Sequence, residues 1–257
     1  MSKKRETLYG KEFYDGQRDW SMQSAQIVIP YVLEKLKDAN IRSCVDFGCG
    51  VGTWLSAIKS NIQTADVLGL DFGEPEKDQL RISPEEYRKT DLSKPVILGK
   101  MYDLCISLEV AEHIDPAKAD VFIDNLTKAS DIILFSAALP GQGGTGHVNE
   151  QRLSYWVEKF ARRGFELYDI VRPYFWYNKA ITHNYRQNMV LFCKQGKNII
   201  EPVKIENWPI DIAHPDVLKN EGNLTIKMSI LRTLYRKHNK IYMLLWKIKH
   251  FFIPKKT

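Results

Sequence analysis

Nowhere does the chain hold an uninterrupted apolar run of the ~18 residues a membrane-spanning helix needs. The opening stretch, MSKKRETLYGKEF, carries no apolar core of the kind a signal peptide has, so the expected location is the cytoplasm. Cysteine is scarce. Cys44, Cys49, Cys105 and Cys193 lie far apart, form no C-x-x-C pair and mostly fall in strand-like runs, which argues against a disulfide framework and for reduced, buried thiols. Internal repeats and low-complexity tracts are missing too. Acidic residues vanish from Gly222 onward, where Lys227, Arg232, Arg236, Lys237, Lys240, Lys247, Lys249, Lys255 and Lys256 stand unopposed. The net charge of +6 therefore belongs to a tail of about +9, and the body is near −3. A wholly basic nucleic-acid-binding surface is excluded by that balance.

What is present is ordinary globular composition, 44% hydrophobic and 26% charged over 257 residues, enough for one sizeable core. Strand-like and helix-like segments take turns. IRSCVDF, DVLGLDF, EYRKTD, YDLCISL and DIILFSA read as successive strands. Helical periodicity follows Gly52, recurs between Pro116 and Lys128, and recurs again from Leu153 to Ala161, closed by Gly164. Such alternation implies parallel strands joined by crossover helices. FELYDIV and NMVLFC are strand-like as well, but RPYFWYNKAITHNYRQ between them has no helical period. The expectation there is an antiparallel pair with a long aromatic loop. Upstream, Ser21 is a candidate cap for a helix starting near Met22, which Pro30 is expected to end or bend.

The stretch VDFGCGVGTW sets bare backbone between the first strand and the next helix, where open α/β sheets bind ligands. A tight strand-to-helix connection would explain it equally well. The acidic residues favour a ligand: Asp71 ends the second strand where a carboxylate can accept from ribose hydroxyls, Asp91 follows the third and suits the adenine amine, and Asp46 suits an amino group. Ribose, adenine and a cationic tail describe S-adenosylmethionine better than a dinucleotide, because a pyrophosphate would be repelled by Asp46.

VDFGCGVGTWL, VLGLDF, TDLSKP and DLCISLEVAEHI resemble the successive motifs of class I S-adenosylmethionine-dependent methyltransferases. EFYDGQRDWSMQSAQIVIPYVLE, FSAALPGQGGTGHVNEQRLSYW and NYRQN extend the likeness toward a bacterial subfamily linked to glycan and cell-surface polysaccharide pathways. The resemblance implies a Rossmann-like, doubly wound sheet of seven strands with the last inserted antiparallel, and S-adenosylmethionine as cofactor. It implies that Asp46, Gly48, Cys49, Gly50 and Gly52 line the methionine end, that Asp71 and Phe72 hold the ribose, that Asp91 and Leu92 frame the adenine, and that Ser107 and Leu108 touch the cofactor from below. Residues 1–38 are expected to form a helical lid, with Tyr14 and Gln17 reaching the cofactor's amino-acid end. The methyltransferase domain is expected over residues 39–195, and a basic amphipathic helical tail over 196–257.

An activated methyl group needs only alignment and exclusion of water, but a neutral hydroxyl acceptor also needs a base. His147, on the glycine-rich loop GGTGHVNEQ, and His113, in EVAEHI, are the candidates. For His147 the competing role is to brace the next helix, with Asn149 as its cap. Glu109, Glu112, His113 and Asp115 look like metal ligands, yet E-x-x-H offers no third ligand at a convincing spacing, and no metal is expected. Tyr174, Trp176, Tyr185, Arg186 and Gln187 combine stacking faces and donors suited to a sugar or nucleotide-sugar acceptor, while Arg172 and Lys179 leave room for an anionic one. The expected activity is O-methylation of a sugar, nucleotide-linked or phosphoramidate-type precursor of a capsule or lipopolysaccharide. N-methylation of a small molecule and a non-catalytic role in a glycan-assembly complex are the alternatives. Ile230, Leu231, Leu234, Tyr235, Ile241, Tyr242, Leu245, Ile248 and Phe252 recur at helical spacing in the tail, which suits packing on the body, a homodimer contact or a peripheral contact with the inner membrane.

Overall fold

The computed structural model describes residues 11–197 and 210–214, with side chains from residue 21 onward. The expectations for the basic tail and for the side chains of Tyr14 and Gln17 lie outside the described residues. Seven strands alternate with helices: α1 (Lys11–Lys35), β1 (Ser43–Phe47), α2 (Thr53–Asn61), β2 (Asp66–Asp71), β3 (Tyr87–Lys89), β4 (Leu104–Leu108), α3 (Ala119–Ala129), β5 (Ile132–Ser136), α4 (Leu153–Ala161), β6 (Phe165–Tyr168), α5 (Val171–Phe175), α6 (His183–Asn188) and β7 (Val190–Lys194). They form one sheet in the order β3-β2-β1-β4-β5-β7-β6. β1 to β5 are mutually parallel, and β7 inserts antiparallel between β5 and β6. This is the doubly wound seven-stranded sheet with an antiparallel insertion that the sequence led us to expect.

The strands carry apolar side chains on both sides because helices cover both faces. In β5, Ile132 and Leu134 join one core while Ile133 and Phe135 join the other, and in β7 Leu191 and Cys193 alternate in the same way with Val190 and Phe192. The first core is closed by Val28, Ile29 and Val32 of α1 and by Leu55 and Ile58 of α2. Phe122 and Leu126 of α3, with Trp156 and Phe160 of α4, close the second. All four cysteines are buried and none forms a disulfide.

Three local expectations need correction. Helix α1 starts well before Ser21, so that residue lies inside it and not at its start. Pro30 neither begins nor ends α1, which continues to Lys35. Val28, Ile29, Val32 and Leu36 are almost fully buried around it, and that packing offsets the lost hydrogen bond of one proline. Finally, the segment between β6 and β7 is not one long loop but folds into α5 and α6, while β6 stops at Tyr168. These helices are too short to show a period. They are held by tertiary contacts such as Tyr31 stacked on Tyr174 with ring centroids 4.2 Å apart.

Candidate active site

Strand order reverses between β1 and β4, and the crevice beyond their carboxyl ends is where an open α/β sheet takes its ligand. The chain leaves β1 through Gly48, whose N–H donates to Leu70 O at 2.7 Å and whose φ is 89°. A Cβ there would lie 2.2 Å from Val110 Cγ2, so only glycine lets the turn after β1 close on the turn after β4. Gly52 plays the same part at the start of α2, where a Cβ would lie 2.8 Å from Ile82 Cγ1.

Asp71, at the end of β2, is tied to that turn. Its Oδ2 accepts the Gly50 N–H at 2.8 Å and its Oδ1 accepts the Gly73 N–H at 2.8 Å. Burial raises its pKa above the usual carboxylate range, although the backbone N–H groups of Gly73, Gly50 and Phe72 pull the other way. Asp46 is buried in β1, and desolvation plus the Asp71 charge push its carboxyl well up. Asp91 differs. Burial raises it, but the Ser93 hydroxyl at 2.6 Å and Lys94 at 3.0 Å outweigh that and hold it below the usual range. Leu92 is buried beside it, and its carbonyl accepts from Asn125.

Two residues expected at the cofactor are turned into the fold. The Cys49 thiol packs into the core 2.7 Å from where a Gly69 Cβ would stand, and burial pushes its pKa well up. Ser107 is fully buried and donates its hydroxyl to Phe47 O at 3.0 Å, tying β4 to β1. Leu108 packs into the first core, and Phe72 is half-buried just past β2.

The turn after β4 and the glycine-rich loop after β5 meet at the same edge. Glu109 adopts a φ of 56°, unusual for a residue with a side chain, and its carboxylate accepts from Gln142 at 2.8 Å and Asn188 at 3.1 Å. Asn188 also donates to Gln142 Oε1 at 2.8 Å, closing a triangle between two loops and the end of α6. Glu112 is fully buried, and neither carboxylate oxygen has a hydrogen-bond partner. Its backbone carbonyl accepts the N–H groups of Val148 and Asn149, both at 2.9 Å, which brings His147 alongside. The His147 ring meets the His113 ring edge-to-face at 4.8 Å. His147 Nδ1 lies 2.7 Å from Glu150 Oε1, while Nε2 faces Glu112 Oε1 at 3.9 Å. Glu150 is itself fixed by the N–H groups of Gly141 and Gly143. The Asp115 carboxylate instead accepts the Ala117 N–H. Asn149 does not cap α4, whose N-cap position is Arg152.

The residues assigned to the acceptor divide in the same way. Tyr174 is exposed on its stack with Tyr31, and Trp176 lies against His214. Tyr185 packs edge-to-face on Trp54, and burial raises its phenol pKa. Arg186 is buried. Gln187 is consumed by structure, since it donates to Ile212 O at 2.6 Å and accepts the His214 N–H. Arg172 is unavailable to an anion because it is buried against Asp169, with one further bond to Ile210 O at 2.9 Å. Sequence reasoning missed Gln142, Glu150 and Asn188. Of these only Glu150 left a local signal, three residues after His147.

This sheet order, with its glycine turn and an acidic residue after β2, defines the class I S-adenosylmethionine-dependent methyltransferase fold. No family model matches the chain. The ubiquinone biosynthesis O-methyltransferase of Rickettsia typhi is 32% identical over 119 residues, covering 40% of this chain and 44% of that protein. Its Rickettsia prowazekii counterpart is 31% identical over 119 residues, covering 40% and 42%. The chain thus spans less than half the length of the curated relatives it matches. Among solved structures, the sugar N-methyltransferase KedS8 from Streptoalloteichus superposes with a TM-score of 0.53 at 14% identity, covering 71% of this chain and 91% of that one. Magnesium protoporphyrin IX methyltransferase from Synechocystis, with bound SAH, superposes with a TM-score of 0.50 at 20% identity, covering 75% and 93%. The plantazolicin methyltransferase BpumL, also with SAH, gives 0.51 at 15% identity, covering 75% and 91%.

Proposed function

We propose that the chain is an S-adenosylmethionine-dependent O-methyltransferase of a hydroxylated small molecule or glycan precursor. The observation that carries this reading is the Asp71 carboxylate, pinned by Gly50 and Gly73 at the mouth of the crevice. A carboxylate offers about four lone-pair sites. The N–H groups of Gly50, Gly73 and Phe72 already point at it, which leaves room for a ribose hydroxyl. The bare backbone from Gly48 to Gly52 gives room for the rest of the cofactor, and Asp46 supplies negative charge near its cationic end.

Bound there, S-adenosylmethionine would supply a methyl group already activated by a positively charged sulfur. The protein's work is then to hold the acceptor oxygen in line, exclude water and deal with the hydroxyl proton. Deprotonation is assigned to the cluster of Glu112, His113 and His147, which lies just past β4 beside the glycine turn. Glu150 fixes the orientation of His147, and Glu109 with Gln142 and Asn188 braces the loops around it. Tyr174 and Trp176 remain candidates to stack on the acceptor.

The chain's own motifs favour a sugar, nucleotide-linked or phosphoramidate-type precursor of a surface polysaccharide. The curated relatives are named for O-methylation in ubiquinone biosynthesis. Both call for a hydroxyl acceptor. The test is transfer of labelled methyl from S-adenosylmethionine to two panels, sugar nucleotides and hydroxylated aromatic compounds. O-methyl product in either panel supports the reading and selects the acceptor class. A cofactor-bound protein that labels only amines overturns it.

A further inference from the structure

We propose that Glu112, His113 and His147 bind a divalent first-row metal ion, of the Mn2+ type, at the acceptor end of the crevice. One ligand atom from each of the three side chains can be chosen so that all lie within 4.8 Å of one another. Metal–ligand bonds of about 2.1 Å place two donors at most about 4.2 Å apart across one ion. Side-chain movements of about an ångström therefore close the set, and the 3.9 Å between His147 Nε2 and Glu112 Oε1 already falls inside that span.

The second observation is independent of spacing. Glu112 is fully buried with both oxygens unpartnered, a costly state for a carboxylate. Its surroundings add to this, since Glu109 and Glu150 bring negative charge nearby, opposed by the backbone N–H dipoles of Glu112 and Ala138. A cation between Glu112 and the histidines removes this penalty.

The orientation of His147 points the same way. Glu150 is the natural acceptor for an N–H on Nδ1, at 2.7 Å, which leaves the lone pair of Nε2 aimed at the Glu112 oxygen. Two lone pairs facing one another repel unless a proton or a metal ion sits between them. A carboxylate on the far nitrogen of a ligating imidazole is also what orients such ligands in metal sites. Gly144 keeps the space open, because a Cβ there would stand 2.3 Å from Nε2. Two imidazoles with a carboxylate suit Mn2+, Fe2+, Co2+ or Zn2+ better than an all-oxygen set would, and three protein ligands leave positions for an acceptor oxygen.

The role of the ion rests on the methyl-transfer reading: a coordinated hydroxyl becomes more acidic and is held in one place, so its proton leaves without a strong base. On this view His147 is a ligand rather than the base, and the third ligand beside the adjacent Glu112 and His113 lies 34 positions beyond His113.

The test uses the full chain, stripped with a chelator and titrated with Mn2+ while free Mn2+ is followed by electron paramagnetic resonance. One ion per chain is expected. Glu112→Gln and His147→Gln should each weaken binding by at least tenfold, and Glu150→Gln, which disturbs only orientation, by about tenfold. Circular dichroism checks that each variant is folded, and the wild-type titration decides if one is not. Failure of Mn2+, Co2+, Zn2+ and Mg2+ to bind at millimolar concentration overturns the proposal, as does unchanged binding in a folded Glu112→Gln. Binding of S-adenosylmethionine is measured separately on the metal-free chain. If the cofactor binds and no metal does, the metal site alone falls. If metal binds and the cofactor does not, the methyl-transfer reading falls.

Discussion

Gly48 lies so close to Val110 that a methyl group on it would overlap the valine side chain, 2.2 Å from Cγ2. This contact joins the cofactor turn to the turn carrying Glu109, Glu112 and His113. Gly48→Ala should therefore damage both at once. The positive φ costs about 1–2 kcal/mol and the overlap about 1–3 kcal/mol more. Val110→Ala in the same chain should recover the second part but not the first. Chemical denaturation of the two single variants and the double variant checks this.

Asp71 gives a pH dependence with a definite sign. The ionised carboxylate is the better acceptor for a ribose hydroxyl, and burial has raised its pKa from the ordinary 3.8. Cofactor affinity should fall as pH drops through a value above the usual carboxylate range, and Asp71→Asn should flatten that profile. The same shift penalises the ionised form in the cofactor-free fold. That penalty is present above the folded pKa and fades as pH falls. Titration of cofactor binding across the acid range reads the first effect, and melting curves without cofactor read the second.

Gly144→Ala tests the space in front of His147 without changing any charge. The added methyl would stand 2.3 Å from Nε2, on a ring that Glu150 prevents from swinging freely. Turnover should fall at least tenfold while cofactor affinity stays within about twofold, since Asp71 and the glycine turn are untouched. Equal loss of both would mean that the loop supports the cofactor instead.

The buried pair Arg172–Asp169 should matter for stability and not for acceptor choice. Both side chains are about 1% exposed. Arg172→Ala leaves an uncompensated buried charge and should cost about 3–5 kcal/mol, whereas the double variant Asp169→Asn with Arg172→Met should recover much of it. Urea denaturation measures both.

Most of the sheet was legible because strands buried on both faces read as apolar runs: CVDF, LCISL, IILFS and VLFC carry their own assignment. The glycine turn and Asp71 were legible for the same local reason, since they stand at fixed offsets from strand ends. Pro30 does not end α1 because its cost is outweighed by packing of Val28, Ile29 and Val32, which no local rule weighs. Gln187 looked free because its partners, Ile212 and His214, lie far along the chain, whereas the partner of Arg172, Asp169, stands only three residues upstream. His147 joined Glu112 only through loops after two different strands, a meeting that spacing along the sequence does not encode.

Calorimetric titration of the metal-free chain with S-adenosylmethionine tests the central claim most directly. One site is expected, weakened by Asp71→Ala by about 1–3 kcal/mol for the lost hydrogen bonds, close to tenfold up to a hundredfold in affinity. No binding at millimolar cofactor, or equal affinity in a folded Asp71→Ala, would contradict it.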